Sequence, residues 1–229
     1  MTEKRTPAPE HTDEIGILLT DPRRYLLFRS VFMLGRGAGL NRKLTALSGA
    51  RPGDHVADIG CGPGDLVRRL AERVGSRGSA TGVDPAAEMI RYARAHVPDG
   101  RFELAAAQHL PLPDAALDVV TCTFVMHHIP EAQRPAALAH MFRVLRPGGR
   151  LLLADTHPRG LVLPSLIRAM GRSAGRRTHD PAALAPDADP AAAVDIRRYR
   201  ELLRETGFRD IEFTAVRPIT GVLHAVKPR

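Results

Sequence analysis

The stretch VADIGCGPGDL, residues 56–66, decides how this chain folds. VADI is an apolar run around one acid, Asp58, and reads as a buried strand. The residues after the glycines open a helix, with Leu66, Val67, Leu70 and Val74 at helical spacing and Gly75 ending it. Between the two stand Gly60, Cys61, Gly62 and Gly64 in a G-x-G-x-G turn. Glycines there allow φ > 0 and let a ligand lie against bare backbone beside a helix N-terminus.

A plain strand-to-helix turn would carry the same glycines, so the acids decide between readings. The spacing is not the G-x-G-x-x-G that seats a pyrophosphate on a helix N-terminus. Asp58 would repel a pyrophosphate and suits a ligand bearing an ammonium group, which points to a zwitterionic nucleoside rather than a dinucleotide. The second acid, Asp84, ends a strand in TGVDP, 24 residues after Gly60. It is placed to accept hydrogen bonds from ribose hydroxyls, and the same position serves as a helix cap ahead of Pro85. Met89, one turn later, either covers an adenine face or packs in the core.

Working outward, short apolar runs alternate with helical stretches, the mark of a parallel sheet. HVADIG, SATGVD, RFELAA, LDVVTCTFV and RLLLAD predict five strands, separated by PGDLVRRLAERVG, PAAEMIRYARAHV and EAQRPAALAHMFRVL as helices. YRELLRETGF predicts a further helix, and RDIEFTAVRP and TGVLHAVKP two closing strands. Residues 1–50 are read as an N-terminal helical cap, from DPRRYLLFRSVFMLG and GLNRKLTALSG, and 51–229 as the main domain. Within it, 156–195 holds five prolines and RGLVLPSLIRAMGRSAGRR, and is read as an inserted loop and short helix.

The chain of 229 residues suits one α/β domain, and 44% apolar with 25% charged residues is the composition of a globular protein. No apolar run reaches the ~18 residues of a membrane span, and MTEKRTPAPEHTDE is not a signal peptide, so a cytoplasmic location is expected. Two cysteines outside any CxxC pair argue against a disulfide framework or structural zinc. The net charge of +8 lies outside the centre: residues 55–155 carry 11 Arg and 11 acids, whereas 156–200 carry 8 Arg against 4 acids. The basic segments are solvated faces or face an anionic or amphipathic substrate.

VADIGCGPGD, TGVDPAAEMIRYAR, QHLPLPDAALDVVTCTFVMHHIP, MFRVLRPGGRLLLAD and the closing GF, FTAVRP and GVLHAVKP together resemble the class I S-adenosylmethionine-dependent methyltransferases. The nearest likeness is to the small-molecule group that includes the quinone-biosynthesis methyltransferases, and it covers residues 55–155 and 196–227. The resemblance implies an α/β, Rossmann-like, doubly wound sheet of seven strands, mostly parallel, with an antiparallel edge strand. It implies S-adenosyl-L-methionine as cofactor, with Asp58, Gly60, Cys61 and Gly62 along its methionine part, Asp84 and Pro85 at the ribose, and Met89 at the adenine. Where the family commonly has an acid facing the adenine amino group, this chain has Ala106, which leaves Ala107 and Gln108 as the adenine contacts. Phe124 is expected to border the cofactor.

A sulfonium methyl is already activated, so holding the acceptor in line supplies most of the catalysis, ~7–11 kcal/mol. A general base adds ~10²–10⁴-fold if the acceptor is a hydroxyl or an acidic carbon. The adjacent His127 and His128 follow the fourth strand, whose carboxyl end opens on the crevice. Alternation along a strand turns only one of them to the site, and the resemblance favours His127. His157, just past the fifth strand, is the second candidate base; Tyr25, Tyr199 and Asp155 are weaker ones. No metal constellation is visible, and adjacent histidines are poorly placed to share one ion. The N-terminal helices and the insert are expected to form the substrate lid.

The function expected is methyl transfer to a small-molecule acceptor, by O- or C-methylation of an apolar, aromatic, polyketide or quinone-like compound. An RNA or protein methyltransferase would use the positive charge, but TFVMHH is unlike the (D/N)PP(Y/F) motif used on base amino groups, and 4% aromatics gives few stacking platforms. A nicotinamide-dependent oxidoreductase is disfavoured by the glycine spacing and Asp58. No nucleic-acid partner is expected; weak membrane-surface contact and a homodimer are both compatible with the chain.

Overall fold

The computed structural model describes residues 37–157, 195–216 and 219–229, together with Asp21, Pro22 and Leu26. Along these residues the order is α1 (Gly37–Leu47), β1 (His55–Ile59), α2 (Asp65–Val74), β2 (Ser79–Asp84), α3 (Ala87–His96), β3 (Arg101–Leu104) and β4 (Leu117–Thr123). Then come α4 (Arg134–Val144), β5 (Leu145–Thr156), α5 (Tyr199–Thr206), β6 (Arg209–Val216) and β7 (Thr220–Val226). Tyr25, the stretch DPRRYLLFRSVFMLG apart from Asp21, Pro22 and Leu26, and most of the expected lid segment 156–195 lie outside the described residues.

The seven strands form one sheet in the order β3-β2-β1-β4-β5-β7-β6. β1 pairs parallel with β2 and β4, β2 with β3, and β4 with β5, as alternating strands and helices require. The sheet is mostly parallel with antiparallel pairing at one edge, as the resemblance implied; the final strand, β7, lies one place in from that edge, between β5 and β6, and runs antiparallel to both. Composition gives the reason. β7, TGVLHAV, is buried along nearly its whole length, whereas β6, RDIEFTAV, begins with exposed charged residues and suits a solvated edge.

Side-chain alternation splits the core between the two faces of the sheet. Ala57, Ile59, Val120, Cys122, Leu151 and Leu153 point to the face covered by α4 and α5, where Leu138, Met141, Leu203 and Phe208 are buried. Val56, Val119, Leu152, Ala154 and Val222 point to the other face, covered by α1, α2 and α3 through Leu44, Leu70 and Ile90. Glycine ends two helices: Gly75 after α2 has φ 66, and Gly207 after α5 has φ 109. The chain between Asp84 and α3 is extended at Ala86, so the helix starts at Ala87 rather than at Pro85. Since β1, β2, β4 and β5 are parallel, their carboxyl ends lie together along one rim, and every candidate residue below belongs to that rim or to the segments leaving it.

Candidate active site

The β1–α2 turn carries Gly60, Gly62 and Gly64 at φ 72, 51 and 85, all left-handed. Only glycine holds that run without strain. A Cβ on Gly60 would fall 2.1 Å from Cγ2 of Val125, so the turn also closes under the segment leaving β4.

Two carboxylates flank this turn. Asp84, at the end of β2, accepts from the backbone N–H of Gly62 at 2.9 Å and of Ala86 at 2.9 Å, so it ties the glycine turn to the start of α3. The N-cap of α3 is Ala86, with no side-chain cap, so Asp84 braces the approach to the helix rather than capping it. Burial raises its carboxyl above the ordinary range, against the two N–H groups that lower it. Asp58 lies beside Thr121 in the β1–β4 register and takes its hydroxyl at 2.7 Å. It is 1% exposed and stands in no ion pair among the described residues. Burial pushes its carboxyl up to about 7; Thr121 opposes the rise and the nearby Asp84 carboxylate adds to it. Thr121 went unread in the sequence, though a hydroxyl inside the apolar strand LDVVTCTFV was its signal.

These residues fit S-adenosylmethionine. A buried carboxylate without a cation suits an ammonium group, the positive-φ turn leaves backbone bare, and Asp84 retains acceptor capacity at the strand end. Met89 is buried yet joins neither core, Ala107 and Gln108 are buried past β3, and Pro85 is half-buried. Cys61 is buried with its thiol pushed well up by desolvation, a packing residue rather than a nucleophile. Phe124 follows β4 with φ 58, unusual outside glycine, and its N–H donates to the carbonyl of Ala154 at 2.7 Å.

His127 and Asp155 meet across the ends of β4 and β5. The ring Nδ1 lies 2.8 and 2.9 Å from the two carboxylate oxygens, and the Asp155 side chain is 3% exposed while that of His127 is 31% exposed. A carboxylate accepts, so the contact assigns the Nδ1–H to the Asp155 side, and in the neutral imidazole Nε2 then carries the lone pair. His128 lies with its ring centre 4.0 Å from that of His127, tilted by 45°, and its own Nδ1 is buried and without a partner among the described residues. Burial, with His127 adding, lowers its imidazole to about 4, so it stays neutral. His157 is differently used. It is buried, contacts Asp195 at 3.4 Å and lies edge-on to Phe213 at 4.9 Å, joining β5 to β6 and to the residues before α5. The structure thus brings His127 to Asp155 and His157 to Asp195. Among the described residues no group of three or more His, Cys, Asp or Glu could hold a metal.

A model of the methyltransferase domain matches residues 56–149. The demethylmenaquinone methyltransferase of Deinococcus radiodurans is 34% identical over 203 residues, covering 81% of this chain and 80% of that one. That of Symbiobacterium thermophilum is 32% identical over 157 residues, covering 65% of this chain; the match spans 62% of the relative's length. In fold, the chain is similar to the structure of a S-adenosylmethionine-dependent methyltransferase from Aquifex aeolicus, at a TM-score of 0.60 and 18% identity over 96% of this chain and 94% of the other. With the D. radiodurans relative aligned over four-fifths of both chains and the sheet and glycine turn in place, the chain belongs to the class I S-adenosylmethionine-dependent methyltransferases.

Proposed function

We propose that the protein transfers a methyl group from S-adenosyl-L-methionine to a small-molecule acceptor that gives up a proton, a hydroxyl or an acidic carbon. The observation that carries this is the His127–Asp155 pair at the mouth of the crevice. When bound, the cofactor supplies an electrophilic sulfonium methyl group. The chain's own residues do the rest. Asp155 holds Nδ1–H and orients the ring. Nε2 takes the acceptor's proton as the new methyl–oxygen or methyl–carbon bond forms, the methyl–sulfur bond breaks and S-adenosylhomocysteine leaves. Asp58 and Asp84 hold the cofactor's ammonium and ribose, with Met89, Ala107, Gln108 and Phe124 along its base and edge.

The apolar or aromatic, quinone-like character of the acceptor is supported by the demethylmenaquinone methyltransferases among the relatives. The remaining parts of the reading are a cytoplasmic enzyme acting without nucleic acid, its acceptor selected by residues 1–50 and 156–195. No helix among the described residues is long and apolar enough to cross a membrane. The test is calorimetric titration with S-adenosylhomocysteine and with NADH, followed by methyl-labelled cofactor with a panel of hydroquinone, phenol, polyketide and lipid acceptors. Label entering a hydroquinone or phenol supports the reading; binding of NADH alone overturns it.

A further inference from the structure

Arg134 stands where a cation is unwelcome, at the first position of α4, facing the partial positive charge of the helix N-terminus. Its side chain is only 12% exposed. Nε donates to the carbonyl of Met126 at 3.1 Å and to that of Ile129 at 3.0 Å, the two residues that bracket His127 and His128. One terminal nitrogen reaches Glu131 at 3.3 Å, and the guanidinium carbon lies 5.7 Å from the ring centre of the buried Tyr199. Glu131 also accepts from Arg198 at 2.5 Å, and Arg198 lies 5.8 Å from the same ring. The segment between β4 and α4 is thereby tied to the start of α5.

Residues 124–130 form neither helix nor strand, and their course begins with the left-handed Phe124. Such a segment holds a side chain to within a fraction of an ångström only if its backbone is fixed from outside. Arg134 does that on both sides of the histidine pair. A lysine ammonium keeps the charge but, with one nitrogen, cannot donate to the two carbonyls as Nε does while a second nitrogen reaches Glu131.

We infer that Arg134 is a positioning residue, the clamp on the Met126 and Ile129 carbonyls that keeps the His127 ring against Asp155. This rests on the reading of His127 as the base, and the test separates the two. In the full chain without ligand, nitrogen NMR at about pH 9, where an imidazole is neutral, reads which ring nitrogen of His127 is protonated. The wild type is expected to carry the proton on Nδ1. In Arg134→Gln and in Arg134→Lys the Nδ1–H population is expected to fall by about half or more, with exchange toward the Nε2–H form. Binding of S-adenosylhomocysteine should stay within about threefold of wild type, a change below ~0.7 kcal/mol. Arg134→Lys decides the matter if Arg134→Gln does not fold. A merely structural arginine would lower the melting temperature and leave the proton on Nδ1, and that result in either variant overturns the clamp. Loss of S-adenosylhomocysteine binding along with Nδ1–H would mark general disruption and overturns it too. A wild-type proton on Nε2 would remove the base reading and the clamp together.

Discussion

The imidazole of His127 and the carboxylate of Asp155 are 28 residues apart in the chain and touch through two close contacts, at 2.8 and 2.9 Å. Adjacent parallel strands prepare the meeting: β4 and β5 are in register from Val119 beside Arg150 to Thr123 beside Ala154, Asp155 is the next residue of β5, and the irregular segment leaving β4 carries His127 to it. His127→Gln is expected to lower turnover by about 10²–10⁴-fold, the worth of a positioned base. Asp155→Asn can present a donor where Nδ1–H needs an acceptor, and is expected to cost a comparable factor. Both should bind S-adenosylhomocysteine as wild type does. Transfer of labelled methyl measures the first effect and calorimetry the second; rates near wild type in both variants would leave orientation alone as the source of catalysis.

Asp58 links pH to stability. Its folded carboxyl titrates at about 7 against an ordinary 3.8, raised first by burial. An acid raised on folding holds its proton more tightly in the folded state. Its favourable contribution is therefore complete below about pH 3.8 and is lost as pH climbs through 7. Asp58→Asn should melt higher than wild type at pH 8 by roughly 5–15 °C and match it near pH 4. Scanning calorimetry of the ligand-free protein at the two pH values reads this directly; an equal difference at both would show that Asp58 is not the titrating group. The same variant should bind the cofactor more weakly.

Gly60 and Val125 make a paired test of the glycine turn. Gly60→Ala places a methyl at φ 72 and 2.1 Å from Val125 Cγ2. The backbone term is worth about 1–2 kcal/mol and the overpacking about 1–3 kcal/mol. Adding Val125→Ala should return the second part and not the first. Urea unfolding of the two single variants and the double variant gives the coupling; strict additivity would show that Val125 is not the obstacle.

Lys227 closes the end of α4. Its ammonium donates to the carbonyls of Phe142 at 2.8 Å and Leu145 at 2.7 Å and lies 4.7 Å from the Phe142 ring centre. Lys227→Met leaves those carbonyls without their donor and should cost about 1–3 kcal/mol, seen as a lower urea midpoint with labelled-methyl transfer unchanged.

The order of strands and helices was legible because two periods, 2 and 3.6, and the glycines between them suffice to read it. The turn at Gly60–Gly64 was legible for the same reason, since a run of left-handed residues needs glycine. The pairings were not. Asp58 with Thr121, and His127 with Asp155, depend on strand register, which no local pattern states. The seat of β7 was open too, because a hairpin fixes that β6 and β7 are neighbours and leaves undecided which of them meets β5. His157 follows a strand end just as His127 does, and its contact with Asp195, from another part of the chain, was no more legible. Arg134 had a signal that went unread, a cation at a helix start.

The place of β7 also sets an order of assembly. Among the strands, β6 has β7 as its one partner, although it is synthesised earlier, and β5 shows an open edge until β7 arrives. A growing chain that has emerged as far as Val216 therefore carries two unsatisfied strand edges at once, the condition that invites pairing with other chains. Nascent chains halted there are expected to need chaperone cover that the same chains, extended to Val226, can dispense with.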